Sequence, residues 1–215
     1  MGFIREFLEV EAHRNTMLHV IHANDLQKVK DIIKHYEQHR KAQHNKIIEV
    51  DVEYTNELAH EQKDALVQLT VSKTQPVLLF QLSAEKDKCM VFYTFLLDPR
   101  YTFAGFFIDE DIEKLQRVGM EINQFIDIHK EWRMPERTNY FDSLGDASSI
   151  LIDDYYINMK SKLTYEDHRR WERMPLSEKH IFFDLHYTTV HYHTNIPNFG
   201  YDSKALHKKE VHTTV

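Results

Sequence analysis

One segment constrains the fold more than any other: Lys46-Ile47-Ile48-Glu49-Val50-Asp51-Val52-Glu53-Tyr54, where β-branched residues alternate with acids. Successive side chains on a strand point to opposite faces, so Ile48, Val50 and Val52 share one side while Glu49, Asp51 and Glu53 share the other. The apolar row requires a core beneath it. The acidic row brings three like charges together, and for an isolated Asp-x-Glu the simplest explanation is solvated acids on an edge strand.

The surrounding pattern supplies the layers that such a strand needs. Met17-Leu18-His19-Val20-Ile21-His22 reads as a strand, and Asn24 is the expected N-cap of a helix carrying Leu26, Val29, Ile33 and Tyr36. Two apolar runs, Ala65–Val71 and Val77–Leu82, are separated by Ser72-Lys73-Thr74-Gln75-Pro76, which predicts a hairpin or meander. A buried helix is expected from Cys89 to Leu97, ended by Asp98-Pro99, because the residue before a proline is pushed out of the helical region.

Tyr101–Ile108 is again strand-like, Asp109 is placed to cap a helix from Asp111 through Met120, and Gln124–Ile128 suggests another short strand. Lys130–Tyr140 reads as a loop or crossover. Ser143–Leu151 and Ser177–Tyr192 are the late helical candidates, joined by a polar stretch with Trp171 and Pro175. A strand meander followed by alternating strands and helices favours an α/β fold with a mixed central sheet flanked by helices.

Composition excludes several alternatives. The chain has 215 residues, within the range of one domain, and 42% hydrophobic with 28% charged residues is ordinary globular usage. The expected organisation is an extension over 1–16, a domain over 17–193 and a polar tail over 194–215. A net charge of -7 supplies no general attraction for phosphate, so nucleic-acid binding needs a local basic patch or bound cations. The single cysteine, Cys89, rules out an intramolecular disulfide and reads as a small buried apolar residue. With no long apolar span and no signal-peptide pattern, the expectation is a nuclear or cytoplasmic protein without membrane contact.

Taken together, these segments resemble the plant Werner-like branch of the DEDD 3′–5′ exonucleases, which have a ribonuclease-H-like fold. Val50-Asp51-Val52-Glu53-Tyr54 is similar to the first motif of that family and Ala65-Leu66-Val67-Gln68-Leu69 to its next strand. Phe95-Leu96-Leu97-Asp98-Pro99, Thr102-Phe103-Ala104-Gly105 and Ile108–Leu115 resemble the second motif, with Asp111 as the matching aspartate. Trp171 with Pro175–Ile181 resembles the approach to the third.

The resemblance implies a two-metal phosphodiesterase site holding Mg²⁺ or Mn²⁺ on Asp51, Glu53 and Asp111, with nucleic acid as the ligand. It breaks at the third motif, Tyr-x-x-x-Asp in the family and Phe183-Asp184-Leu185-His186-Tyr187 here. Phe183 lacks the hydroxyl that orients water. Tyr187 holds a phenol, neutral at pH 7 with a pKa of about 10, where a carboxylate ligand is needed.

The implied protein is therefore catalytically inactive or strongly impaired, binding nucleic acid or a protein partner through the former cleft, with any ion held weakly. The alternative is an active enzyme in which Asp184, three residues before Tyr187 on a helical face, or a water replaces the missing ligand. Tyr155, Tyr156 and Trp171 are candidates either for packing or for stacking on bases. The histidines around His191 and His193 do not make a convincing ligand set.

Overall fold

A computed structural model describes residues 7–12, 16–23, 25–40, 46–54, 64–72, 75–82 and 89–131. They form a seven-stranded mixed sheet with four helices. In chain order these are β1 (Phe7–Ala12), β2 (Thr16–Ala23), α1 (Leu26–Arg40), β3 (Ile47–Tyr54), β4 (Asp64–Thr70) and β5 (Val77–Phe80). There follow α2 (Met90–Leu97), β6 (Thr102–Gly105), α3 (Ile108–Arg117), β7 (Phe125–Asp127) and α4 (Ile128–Glu131).

The strand order is β1-β2-β5-β4-β3-β6-β7. The meander β3-β4-β5 is antiparallel, as the turn signals predict, and the sheet then extends from β3 through parallel β6 and β7. Beyond β5, β2 pairs in parallel and β1 closes the edge antiparallel to it. Residues 7–12, read from sequence as part of an extension, thus belong to the sheet through pairs such as Phe7 with Ile21.

Ile48, Val50 and Val52 are buried, as their alternation requires, in a core shared with Val29, Ile33 and Tyr36 of α1 and Phe92, Phe95 and Leu96 of α2. Phe80 and Phe92 meet edge to face at 5.0 Å, and Phe95 meets Phe103 in the same way at 5.9 Å. The fully buried Tyr36 hydroxyl donates to the Leu69 and Pro76 carbonyls, which ties α1 to the connection between β4 and β5.

Two helix boundaries are set by side chains. Asp25 caps α1, its Oδ1 accepting the backbone N–H of Lys28 at 3.0 Å. That satisfies the N–H of the third helical residue, one of the first-turn donors that lack an intrahelical partner. Asn24, the cap expected from sequence, lies outside the described residues. At the end of α2, Asp98 accepts the backbone N–H of Arg100 at 2.9 Å and is gripped by its guanidinium, which holds its carboxyl below the usual carboxylate range. Arg100 also lies 3.6 Å from Glu37 on α1.

His22 on β2 is 2% exposed and bonds through Nε2 to Oε1 of the buried Gln81 at 3.0 Å. Burial pushes its pKa below the ordinary value, against the pull of that hydrogen bond, and Lys28 adds to the lowering. The unfolded chain therefore protonates first as pH falls. The contribution of neutral His22 is fully present above about pH 6.5 and is lost as pH drops through the lower folded-state value. Urea midpoints between about pH 7.5 and 5 are expected to fall more steeply for the wild type than for His22→Gln; parallel curves would remove His22 as the cause.

Candidate functional site

On the face of β3 opposite the core, Glu49, Asp51 and Glu53 are half-buried. Across the antiparallel pair, Thr70 faces Glu49 and Gln68 faces Asp51, and both are buried at 2% and 1% exposure. The acidic row thus continues into β4 as a buried polar row, which an edge strand in water would not show. The pairing register shifts between Glu53 and Tyr54. Such irregularities bend a strand and re-aim its side chains.

α3 reaches this row because of Gly105. A Cβ there would stand 2.8 Å from the Val50 carbonyl oxygen and 3.2 Å from Ile108 Cβ, so only glycine lets the end of β6 lie against β3. The chain then turns through Phe106 and Phe107, the latter left-handed at φ 61°, and enters α3 at Ile108.

This corrects the sequence reading, in which a strand runs to Ile108 and Asp109 caps a helix from Asp111. β6 ends at Gly105 because its pairing with β7 ends there, opposite Asp127. The N-cap position of α3 is Phe107, which makes no side-chain cap hydrogen bond, and Asp109, Glu110 and Asp111 all fall in the first turn of the helix. Acids at that end are favoured by the helix dipole.

Asp111 is 7% exposed and shares the inward face of α3 with Ile108, Ile112 and Leu115, which belong to the core. Lys114, one turn further on, is 9% exposed. α3 packs against β3 and β7. The structure thus puts Asp51 and Glu53 on one face of a central strand, with Asp111 in the first turn of a helix lying on that strand.

Carboxylates are the right donors for a hard cation. Among the described residues, however, no three His, Cys, Asp or Glu side chains stand close enough together to hold one. These residues do not by themselves complete a metal centre. Phe183, Asp184 and Tyr187 lie outside the described residues, as do Tyr155, Tyr156, Trp171 and the late histidines.

Sequence reasoning missed Asp127. It is 5% exposed at the end of β7 and accepts the backbone N–H groups of Phe107 and His129 at 3.2 and 3.0 Å. A lone aspartate closing a strand before a helix is the signal that could have marked it as a cap.

An antiparallel three-strand meander continued by two parallel strands, with paired acids on its first strand and a buried acid on the helix after the fourth, is a ribonuclease-H-like 3′–5′ exonuclease fold. Solved structures share it. RNase D of Trypanosoma brucei, in a complex with RNA U12, is 15% identical with a TM-score of 0.59, over 82% of this chain and 63% of that one. Escherichia coli RNase D, an exoribonuclease involved in structured RNA processing, gives 15% and 0.53, over 79% of this chain and 43% of that one.

The EXO domain of Aedes aegypti Nibbler gives 12% and 0.52, over 80% and 84%. This chain thus spans less than two thirds of either RNase D chain. No protein-family model matches it, and no curated protein does. Among the described residues, no helix is long and apolar enough to cross a membrane.

Proposed function

We propose that this chain is a degenerate 3′–5′ exonuclease domain of the Werner-like branch that binds nucleic acid at the acidic rim of its sheet and hydrolyses it very poorly or not at all. One observation carries the reading: Asp51, Glu53 and Asp111 stand on adjoining elements, while the sequence holds Tyr187 where the last carboxylate belongs. A neutral phenol is a poor ligand for a hard cation at pH 7. Binding tolerates that loss and hydrolysis does not.

The likeness to an RNase D solved with RNA supports nucleic acid as the ligand class. Any Mg²⁺ or Mn²⁺ held weakly at Asp51, Glu53 and Asp111 would need a further donor, since these three do not form a ligand group by themselves; a nuclear or cytoplasmic setting belongs to the same proposal. The net charge of -7 implies that retention depends on a local contact or added cation, and that it weakens with salt.

The test is an assay of labelled single-stranded and recessed DNA and RNA with Mg²⁺ and with Mn²⁺, beside the Asp51→Ala protein. Salt-sensitive retention without stepwise shortening is expected. Shortening that disappears in Asp51→Ala would overturn the reading in favour of an active enzyme using Asp184. Absence of any retention would overturn it in favour of a protein-binding role.

A further inference from the structure

One strand further along the same rim, at the carboxyl ends of β6 and β7, lies an open cavity of about 560 Å³ lined by Phe107, Asp109, Glu110, Asp127, His129 and Lys130. Its frame is rigidly specified. Oδ1 of the buried Asp127 holds both the left-handed turn at Phe107 and the start of α4 through two backbone N–H groups. Its Oδ2 accepts no hydrogen bond from the described residues, with Lys130 Nζ 3.5 Å away. Lys130 also pairs with Asp109.

The aromatic wall is equally built. The Phe107 ring stacks on His129 with centroids 4.0 Å apart and planes 29° apart, and Phe106 meets the pair edge-on at 5.0 and 5.3 Å. Despite this support Phe107 remains 37% exposed. A large ring held in a conformation that bulky residues rarely adopt, and left partly open to solvent, is a platform for another ring.

Charge narrows the occupant. Among the described residues of the lining, three carboxylates against one lysine repel a phosphate or carboxylate, and the lysine already fills the place a cation would take. What remains is a flat heterocycle whose edge offers a lone pair to the exposed Lys130 and, once that side chain moves aside, an N–H to the buried Asp127 Oδ2. Nucleobases carry that adjacent donor and acceptor on their pairing edge, as in the amino group and ring nitrogen of adenine or cytosine.

We propose that this cavity is a nucleobase subsite, with Phe107 stacking on the base and Asp127 and Lys130 reading its edge while the phosphates stay outside. The choice of occupant rests on the nucleic-acid reading above. The subsite adds to that reading a contact made by the base and not by the backbone.

The full chain would be titrated with adenosine and cytidine by NMR, and in parallel with a single strand of about 12 nucleotides. Phe107→Asn keeps a residue type that accepts the left-handed turn, and Asp127→Asn keeps an acceptor for the two N–H groups while replacing the second oxygen by a donor. Phe107→Asn is expected to melt at or above the wild-type temperature and to bind adenosine about tenfold or more weakly. Adenosine 5′-monophosphate is expected to bind no more tightly than adenosine.

Failure of the wild type to bind either nucleoside at millimolar concentration would sink the subsite, as would undiminished binding by a folded Phe107→Asn. Retention of the oligonucleotide without nucleoside binding sinks the subsite and leaves the proposed function standing. Nucleoside binding without retention does the reverse.

Discussion

Replacing Phe183 by Tyr and Tyr187 by Asp in one protein is expected to raise Mn²⁺-dependent 3′–5′ shortening of a single strand by about 10² to 10⁴ over the unchanged chain. The pair returns a hydroxyl that orients water and an anionic oxygen donor to the positions where the sequence departs from the motif. Asp51 and Glu53, on one face of β3, and Asp111, in the first turn of α3, are the other three carboxylates of the proposed set. Each single change is expected to recover far less, because a ligand without the water-orienting group, or the reverse, leaves the set incomplete.

The measurement is a time course of labelled product with Asp51→Ala in the restored background as the control. Activity in the control marks contamination. No gain in the restored protein at saturating Mn²⁺ would mean that the carboxylates of β3 and α3 do not act as a set, and the proposed ancestry of the site would fall with it.

Phe103→Ala is the second large effect, a loss of about 3–5 kcal/mol in unfolding free energy. Phe103 is fully buried on β6, pairs with Ile48 on β3 and Phe125 on β7, and meets Phe95 of α2 edge to face. Its removal opens a hole where the parallel strands and α2 meet, beneath the turn that positions Asp111. Urea denaturation followed by circular dichroism reads the loss. Phe103→Leu is expected to lose much less, since it refills most of the volume. A loss below about 1 kcal/mol for the alanine variant would show that this junction does not hold the core together.

Much of this was legible in the chain. The alternation of Ile48, Val50 and Val52 against Glu49, Asp51 and Glu53 gave both the central strand and the face on which its acids sit, because a strand's period of two leaves no freedom once one side is apolar. The meander of β3, β4 and β5 and the end of α2 at Asp98-Pro99 were legible for the same local reason. The start of α3 was not. Phe106, Phe107 and Ile108 carry strand-like side chains, and what ends β6 is the loss of its pairing partner at Asp127, 22 residues from Gly105 in sequence.

Periodicity and turn chemistry therefore determined most of the strands and helices, and the alternation along β3 determined that Asp51 and Glu53 share a face. The tertiary structure alone decided that α3 lies against β3, since this depends on the approach of Gly105 to the Val50 carbonyl, a contact between segments more than 50 residues apart. It alone made Asp127 the clamp for a left-handed phenylalanine and a helix start. Local sequence fixes the direction of a side chain from its own backbone, whereas its neighbours across the sheet are chosen by the register of strands distant in the chain.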